Sequence, residues 1–150
     1  MMELQKETQT TRFESIHHQV IVNVLHSSNW CTEKLKQAIL PFEVTTQQFN
    51  ILRILRGQYP RTSTINLLKS RMLDKMCDAS RIVDRLVQKG LVLKEPNVED
   101  KRSVDILISD KGLALLKEMD KDISLSVLIS GNLSHDEAIQ LNALLDKMRG

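Results

Sequence analysis

Residues 74–112 constrain the fold more tightly than any other stretch of the chain. A segment of helical length, DKMCDASRIVDRLVQKG, ends at Gly90 and leads directly into the apolar run Leu91-Val92-Leu93, the charged stretch EPNVEDKR, the alternating run SVDILIS and then DKG. In the first segment Met76, Ala79, Val83 and Leu86 recur at helical spacing with Ile82 beside them, while Asp78, Arg81, Arg85 and Gln88 form the opposite stripe. Asp74 is placed to cap this helix and Gly90 to end it. After it, β-branched residues at alternate positions from Val104 to Ile108 mark a strand able to pair with Leu91 to Leu93. The connection Glu95 to Ser103 is too densely charged to be buried, so a hairpin is expected to project beside the helix.

The flanks read as helices. From Thr8 to Leu40 there is no Gly or Pro, and Phe13, Ile16, Val20, Val24, Cys31, Leu35 and Ile39 fall mostly at steps of 3, 4 or 7, predicting one long amphipathic helix stopped by Pro41. Such a helix would be about 45 Å long, more than one small domain can cover, so its outer half is expected to pack on another subunit. Thr45 with Gln48 forms a capping box, Val44 and Phe49 a hydrophobic staple, and Gly57 a stop, giving a helix from Thr46 to Arg56 that buries Phe49, Leu52 and Leu55. Thr62 or Ser63 can cap a short helix, INLLKSRM, with Ile65 and Leu68 inward. Downstream, Ser109 or Asp110 starts a helix running towards Gly131, and Ser134 with Glu137 makes a capping box for the last helix, where Ala138, Leu141, Leu145 and Met148 share one face. The expected order is α-α-α-α-β-β-α-α: mainly α with a small β-wing, a winged helix-turn-helix.

A chain of 150 residues fits one domain that buries roughly 70% of its unfolded surface, so neither metal nor disulfide is required for folding. Aromatic residues make up only 3%, which disfavours an aromatic-lined sugar or nucleobase site. The two cysteines read as free thiols in a reducing compartment. The start MMELQKETQTT is polar and no apolar run has the roughly 18 residues a membrane span needs, so a cytoplasmic protein with no membrane partner is expected. Net charge is only +2, but it is unevenly spread. Arg53 to Arg102 holds 12 Lys/Arg and 6 Asp/Glu, net +6, leaving 9 minus 13, or −4, for the rest. A basic centre with acidic ends suits contact with a polyanion at the centre and with a second subunit at the ends.

A helix lying in a major groove needs short or forked polar side chains in its first two turns. Ser80, Arg81 and Arg85 meet that need, and Lys75 lies near the helix start, where backbone N–H groups also attract phosphate. Asp78 fits poorly: it accepts from a cytosine amine, pairs with Arg81 or Arg85, or points away. The competing reading of this face is an ordinary solvated surface. At the hairpin tip, Lys101 and Arg102 are placed for a minor groove, where narrow walls strengthen the negative potential, and Asp100 can accept from the Arg102 guanidinium or a nearby backbone N–H. The alternative is a charged tip with no partner.

The segment SRIVDRLVQKGLV, followed by DKRSVDILISDKG, resembles the MarR family of bacterial winged-helix transcription regulators. The family's wing pattern, Asp-x-Arg followed after five residues by Leu-Thr, is met by Asp100, Arg102, Ile108 and Ser109, the last two as conservative variants. Specific residues carry the likeness from about Val44 to Leu116; the flanking helices match in order and length only. The resemblance implies a homodimer, with residues 8–40 and 113–149 as the helical dimerisation region. Two winged-helix lobes, residues 44–112, would read a pseudo-palindromic double-stranded DNA operator with half-sites about 10 base pairs apart. It also implies repression relieved by a small lipophilic or phenolic effector bound between dimerisation helices and lobe, or in some members by thiol oxidation or zinc.

The sensing residues are less defined. Cys31, on the inner stripe of the first helix, reads as a buried inert thiol or a redox sensor. Cys77 is pulled down in pKa by the helix start and Lys75 and pushed up by Asp74 and Asp78, so oxidation there could oppose DNA binding. His17, His18 and His26 lack a clear metal spacing, and Met72 and Met76 read as core fillers or a flexible pocket lining. No cofactor is expected. No Ser-His-Asp set has the separation along the chain that a catalytic triad shows, and a Gly-rich phosphate loop and a His-x-x-x-His or Cys-x-x-Cys spacing are lacking, so an enzyme is not expected. The remaining alternative is a winged-helix module whose basic face binds an acidic protein.

Overall fold

Hydroxyl and carboxylate caps set most of the element boundaries. The structure, a computed structural model, describes residues 3–8 and 12–150. A short helix α1 (Glu3–Thr8) precedes α2 (Ile16–Ile39), and Glu7 Oε2 lies 2.8 Å from His26 Nε2 to join them. The single helix expected from Thr8 is therefore two segments, with positions 9–11 outside the described residues. The later start has a local cause: Ser15 is extended, and its hydroxyl accepts the His18 backbone N–H at 3.1 Å. At the other end the Leu40 N–H still bonds Lys36, and Pro41 sits in a 3-10 turn, Leu40–Phe42, rather than at an abrupt stop. Few residues of α2 are buried; Ile16, Val20, Ile21, Leu25 and Trp30 lie open along it.

Helix α3 (Thr46–Gln58) begins with the Thr45/Gln48 capping box and continues through Gly57, which is not the expected stop. It places Phe49, Ile51, Leu52 and Leu55 at the centre of the core. The next helix, α4 (Ile65–Arg71), is capped by Thr64, not by Thr62 or Ser63. Ser63 has a different task, exchanging backbone hydrogen bonds of 2.7 and 2.8 Å with Ile106. That pairing ties the entry to α4 to the hairpin.

Helix α5 (Ala79–Gln88) ends at Gly90, whose φ of +73° suits glycine. Strands β1 (Val92–Pro96) and β2 (Val104–Ile108) pair antiparallel, Val92 opposite Ile108 and Pro96 opposite Val104. The strand extends further than the expected Leu91 to Leu93, and the loop shrinks to Asn97 through Ser103. The wing packs against α6 (Asp110–Asp122) through a close approach at Gly112. A Cβ there would collide with the Leu91 carbonyl oxygen and come within 2.7 Å of Ile108 Cγ1.

The helix expected to run to Gly131 breaks at Ile123, leaving a short α7 (Val127–Ser130) before α8 (His135–Arg149). The Ser134/Glu137 capping box starts α8, and its two hydrogen bonds to Ser134 hold the Glu137 carboxyl below the usual carboxylate range. None of α8 is buried. The core of α3, α4, α5 and the wing also takes in Ile39 of α2 and Leu116 and Met119 of α6. Among the described residues no helix is long and apolar enough to cross a membrane.

Candidate nucleic-acid interface

Helix α5 is strongly two-faced. Ala79, Val83 and Leu86 are fully buried and Ile82 packs beside them, leaving Arg81, Asp84 and Arg85 outward and Ser80 half-buried. The helix starts later than expected because Asp78, not Asp74, is its N-cap: Asp78 Oδ1 accepts the Arg81 backbone N–H at 3.2 Å. Asp78 thus stands at the helix end with one carboxylate oxygen taken by the backbone, a cap and not an acid in the middle of the outward basic face. Its second oxygen lies 4.0 Å from Arg81 Nε, and the Arg81 side chain remains 84% exposed.

The four residues before Asp78 form a braced turn and not the first turn of the helix. Asp74 accepts the Met76 N–H at 3.0 Å, and the Leu73 N–H donates to Asn50 Oδ1 at 3.1 Å. Lys75, expected at the helix start, instead donates its Nζ to the carbonyls of Ser70 (2.7 Å) and Lys69 (3.3 Å), closing the end of α4. Met76, read as core, is 95% exposed, whereas Met72 is buried. Cys77 is half-buried, its Sγ 3.0 Å from the Asp74 carbonyl and 3.4 Å from Met72 Sδ. Burial first and the Asp74 carboxylate second push this thiol up from its usual value. A raised pKa leaves less thiolate at a given pH, which weakens the thiol-sensing reading.

At the wing tip the chain braces itself. Asn97 Oδ1 accepts the N–H groups of Glu99 (2.9 Å) and Asp100 (2.8 Å), and Asn97 Nδ2 donates to both Asp105 oxygens. Asp100 Oδ1 accepts the Arg102 backbone N–H at 3.0 Å, the second of the two partners expected for it. The guanidinium of Arg102 and the ammonium of Lys101 are left exposed at the tip. Sequence reasoning missed Asn97, although an Asn four residues before a Lys-Arg pair in a polar loop is a turn signal. It also missed the ion pair of Asp84 on α5 with Lys94 on β1, Oδ1 to Nζ 2.8 Å, whose partners are ten residues apart on different elements.

A cavity of about 470 Å³ lies where α2, α3 and the turn before α5 meet, lined by Leu35, Phe49, Met72 and Leu73 with Arg53 and Asp74 as its charged groups. Cys31 also lines it and is exposed, in contrast to the buried position expected.

Residues 44–104 match the MarR family. The multiple antibiotic resistance protein MarR of Escherichia coli (strain K12) is 30% identical over 128 residues, covering 83% of this chain and 88% of that protein. The HTH-type transcriptional regulator PecS of Dickeya dadantii is 28% identical over 117 residues, covering 76% of this chain and 70% of PecS. In structure, a mutant E. coli MarR complexed with operator DNA superposes with a TM-score of 0.73 at 29% identity, covering 84% of this chain and 91% of that one. With α5 capped by Asp78, a self-braced wing beside it and these relatives, the chain belongs to the MarR family.

Proposed function

We propose that the chain is a homodimeric, sequence-specific DNA-binding transcription regulator, a repressor whose DNA affinity is tuned by a small lipophilic or phenolic ligand. The observation that carries this reading is the exposed Arg81 and Arg85 on the outward face of α5, next to a self-braced wing that offers Lys101 and Arg102. Arg81, Arg85 and Ser80 read base edges in the major groove, and Arg102 enters the minor groove. Lys75 and Asp78 support this interface by bracing the turn and capping the helix. E. coli MarR, complexed with operator DNA in mutant form, supports the same assignment through its likeness over most of the chain.

Residues 44–112 act as the DNA lobe, and 8–40 with 113–149 pair two copies. The open apolar residues of α2, together with Ile139, Leu141, Leu144 and Met148 of α8, form surface that a lone chain leaves in water. Pairing two lobes sets half-sites about 10 base pairs apart in a pseudo-palindrome. The cavity between α2, α3 and the turn before α5 is the place for the effector: an apolar patch of Leu35, Phe49, Met72 and Leu73 rimmed by polar groups, with Arg53 and Asp74 as its charged ones, suits a phenol. Binding and release of DNA in the cytoplasm then account for the activity without a catalytic step. With Asp78 a helix cap, the residue that fitted DNA reading poorly no longer counts against it, and the acidic-protein reading falls behind.

The test is selection of duplexes from a randomised pool by the native protein, followed by titration of the enriched duplex at several salt concentrations. Enrichment of a pseudo-palindrome with affinity falling steeply with salt supports the proposal, and no salt-dependent duplex affinity overturns it.

A further inference from the structure

Arg81 stands between two carboxylates of its own helix region, Asp78 three residues before and Asp84 three residues after, the spacing at which helical side chains meet. Each carboxylate has another partner. Asp78 accepts the Arg81 backbone N–H through Oδ1 at 3.2 Å, and its Oδ2 makes only a long contact, 4.0 Å, with Arg81 Nε, whose side chain stays 84% exposed. Asp84 is held by Lys94 Nζ at 2.8 Å, across the junction between α5 and the wing. Lys94 belongs to a strand whose place is fixed: its register partner Ile106 is fully buried and is bonded on its other side to Ser63. The Lys94 side chain is only 32% exposed, against 84% for Arg81. The more covered cation neutralises the acid and the more exposed one stays available. An unpaired Asp84 on the outward face would repel phosphate and draw the Arg81 guanidinium back onto the helix.

We propose that Lys94 is a positioning residue for the DNA-reading arginine: it acts through Asp84, holding that carboxylate against the wing so that Arg81 is free for the duplex. This rests on the DNA-binding reading above and adds a residue that need not touch DNA. Native protein first selects a duplex from a pool with randomised cores of about 24 base pairs, enough for two half-sites. Native, Lys94→Met, Asp84→Asn and the double variant are then titrated with that duplex over a range of salt, each with a thermal melt. Lys94→Met is expected to bind about tenfold more weakly with the native salt slope, and the double variant to return to within about threefold of native. If Lys94→Met folds poorly, Asp84→Asn and the double variant carry the test, both expected within about threefold of native. A double variant as weak as Lys94→Met, with a salt slope lower by about 1, means that Lys94 binds phosphate itself and overturns the inference. Unchanged binding by Lys94→Met also overturns it. Failure of native protein to select any duplex overturns the DNA-binding reading as well, and so is distinguishable from failure of the inference alone.

Discussion

At Asp78, an extended backbone and a carboxylate accepting the Arg81 N–H give α5 its starting point. Asp78→Ala should lower stability by about 1 kcal/mol and Asp78→Asn by much less, since Asn caps nearly as well. Denaturant melts check this, and an equal loss from both would point to charge and not to the cap. The raised pKa of Cys77 leaves less thiolate at a given pH. In a Cys31→Ser background, alkylation of Cys77 near pH 8 should therefore be several-fold slower in the folded protein than in denaturant. Faster reaction in the folded state would restore the sensor reading. At this scale the sequence is legible where a cap has one candidate: Thr45 with Gln48, Ser134 with Glu137 and Gly90 stand as read. It is ambiguous where two caps compete. Asp74 and Asp78 are equally good N-cap residues, and only the backbone shows that Asp74 closes a turn on Met76, which moves Met76 out of the core.

Among the elements, the hairpin and α5 follow from periodicity because each buries one face against the same core. Long apolar stripes without such a core are harder to delimit. The pattern from Thr8 to Leu40 runs on through Ser15, a local cap that periodicity does not register, and the stretch towards Gly131 continues past the break at Ile123. Glycines separate sharply at this scale. Gly57 lies inside α3 with nothing within 4 Å of a Cβ, so Gly57→Ala should stabilise by about 0.5–1 kcal/mol. Gly112→Ala would push α6 off the Leu91 carbonyl, which accepts the Ser109 N–H at 3.0 Å, and should cost about 1–3 kcal/mol. Chemical denaturation of the two variants side by side checks both signs, and a neutral Gly112→Ala would contradict the close packing of wing on α6.

For the whole molecule, the core is centred on the winged lobe and takes in Ile39, Leu116 and Met119, whereas α2 and α8 leave Ile16, Leu25, Leu144 and other apolar side chains open. The sequence showed these stripes but not their partner, since periodicity records that a face is apolar and not what covers it. Sizing by light scattering should find a dimer, and Leu144→Glu should shift it towards monomer and weaken operator binding by an order of magnitude or more. A native monomer would remove the basis for two half-sites. In the proposed function α5 reads sequence while the wing supplies affinity. It is tested most directly by selecting duplexes from one randomised pool with native protein, Arg81→Ala and Arg102→Ala. Arg81→Ala should change the preferred base at one position of each half-site, by roughly 1–3 kcal/mol, while Arg102→Ala should weaken every duplex and keep the native preference. Identical selected sequences and affinities for all three proteins would contradict it.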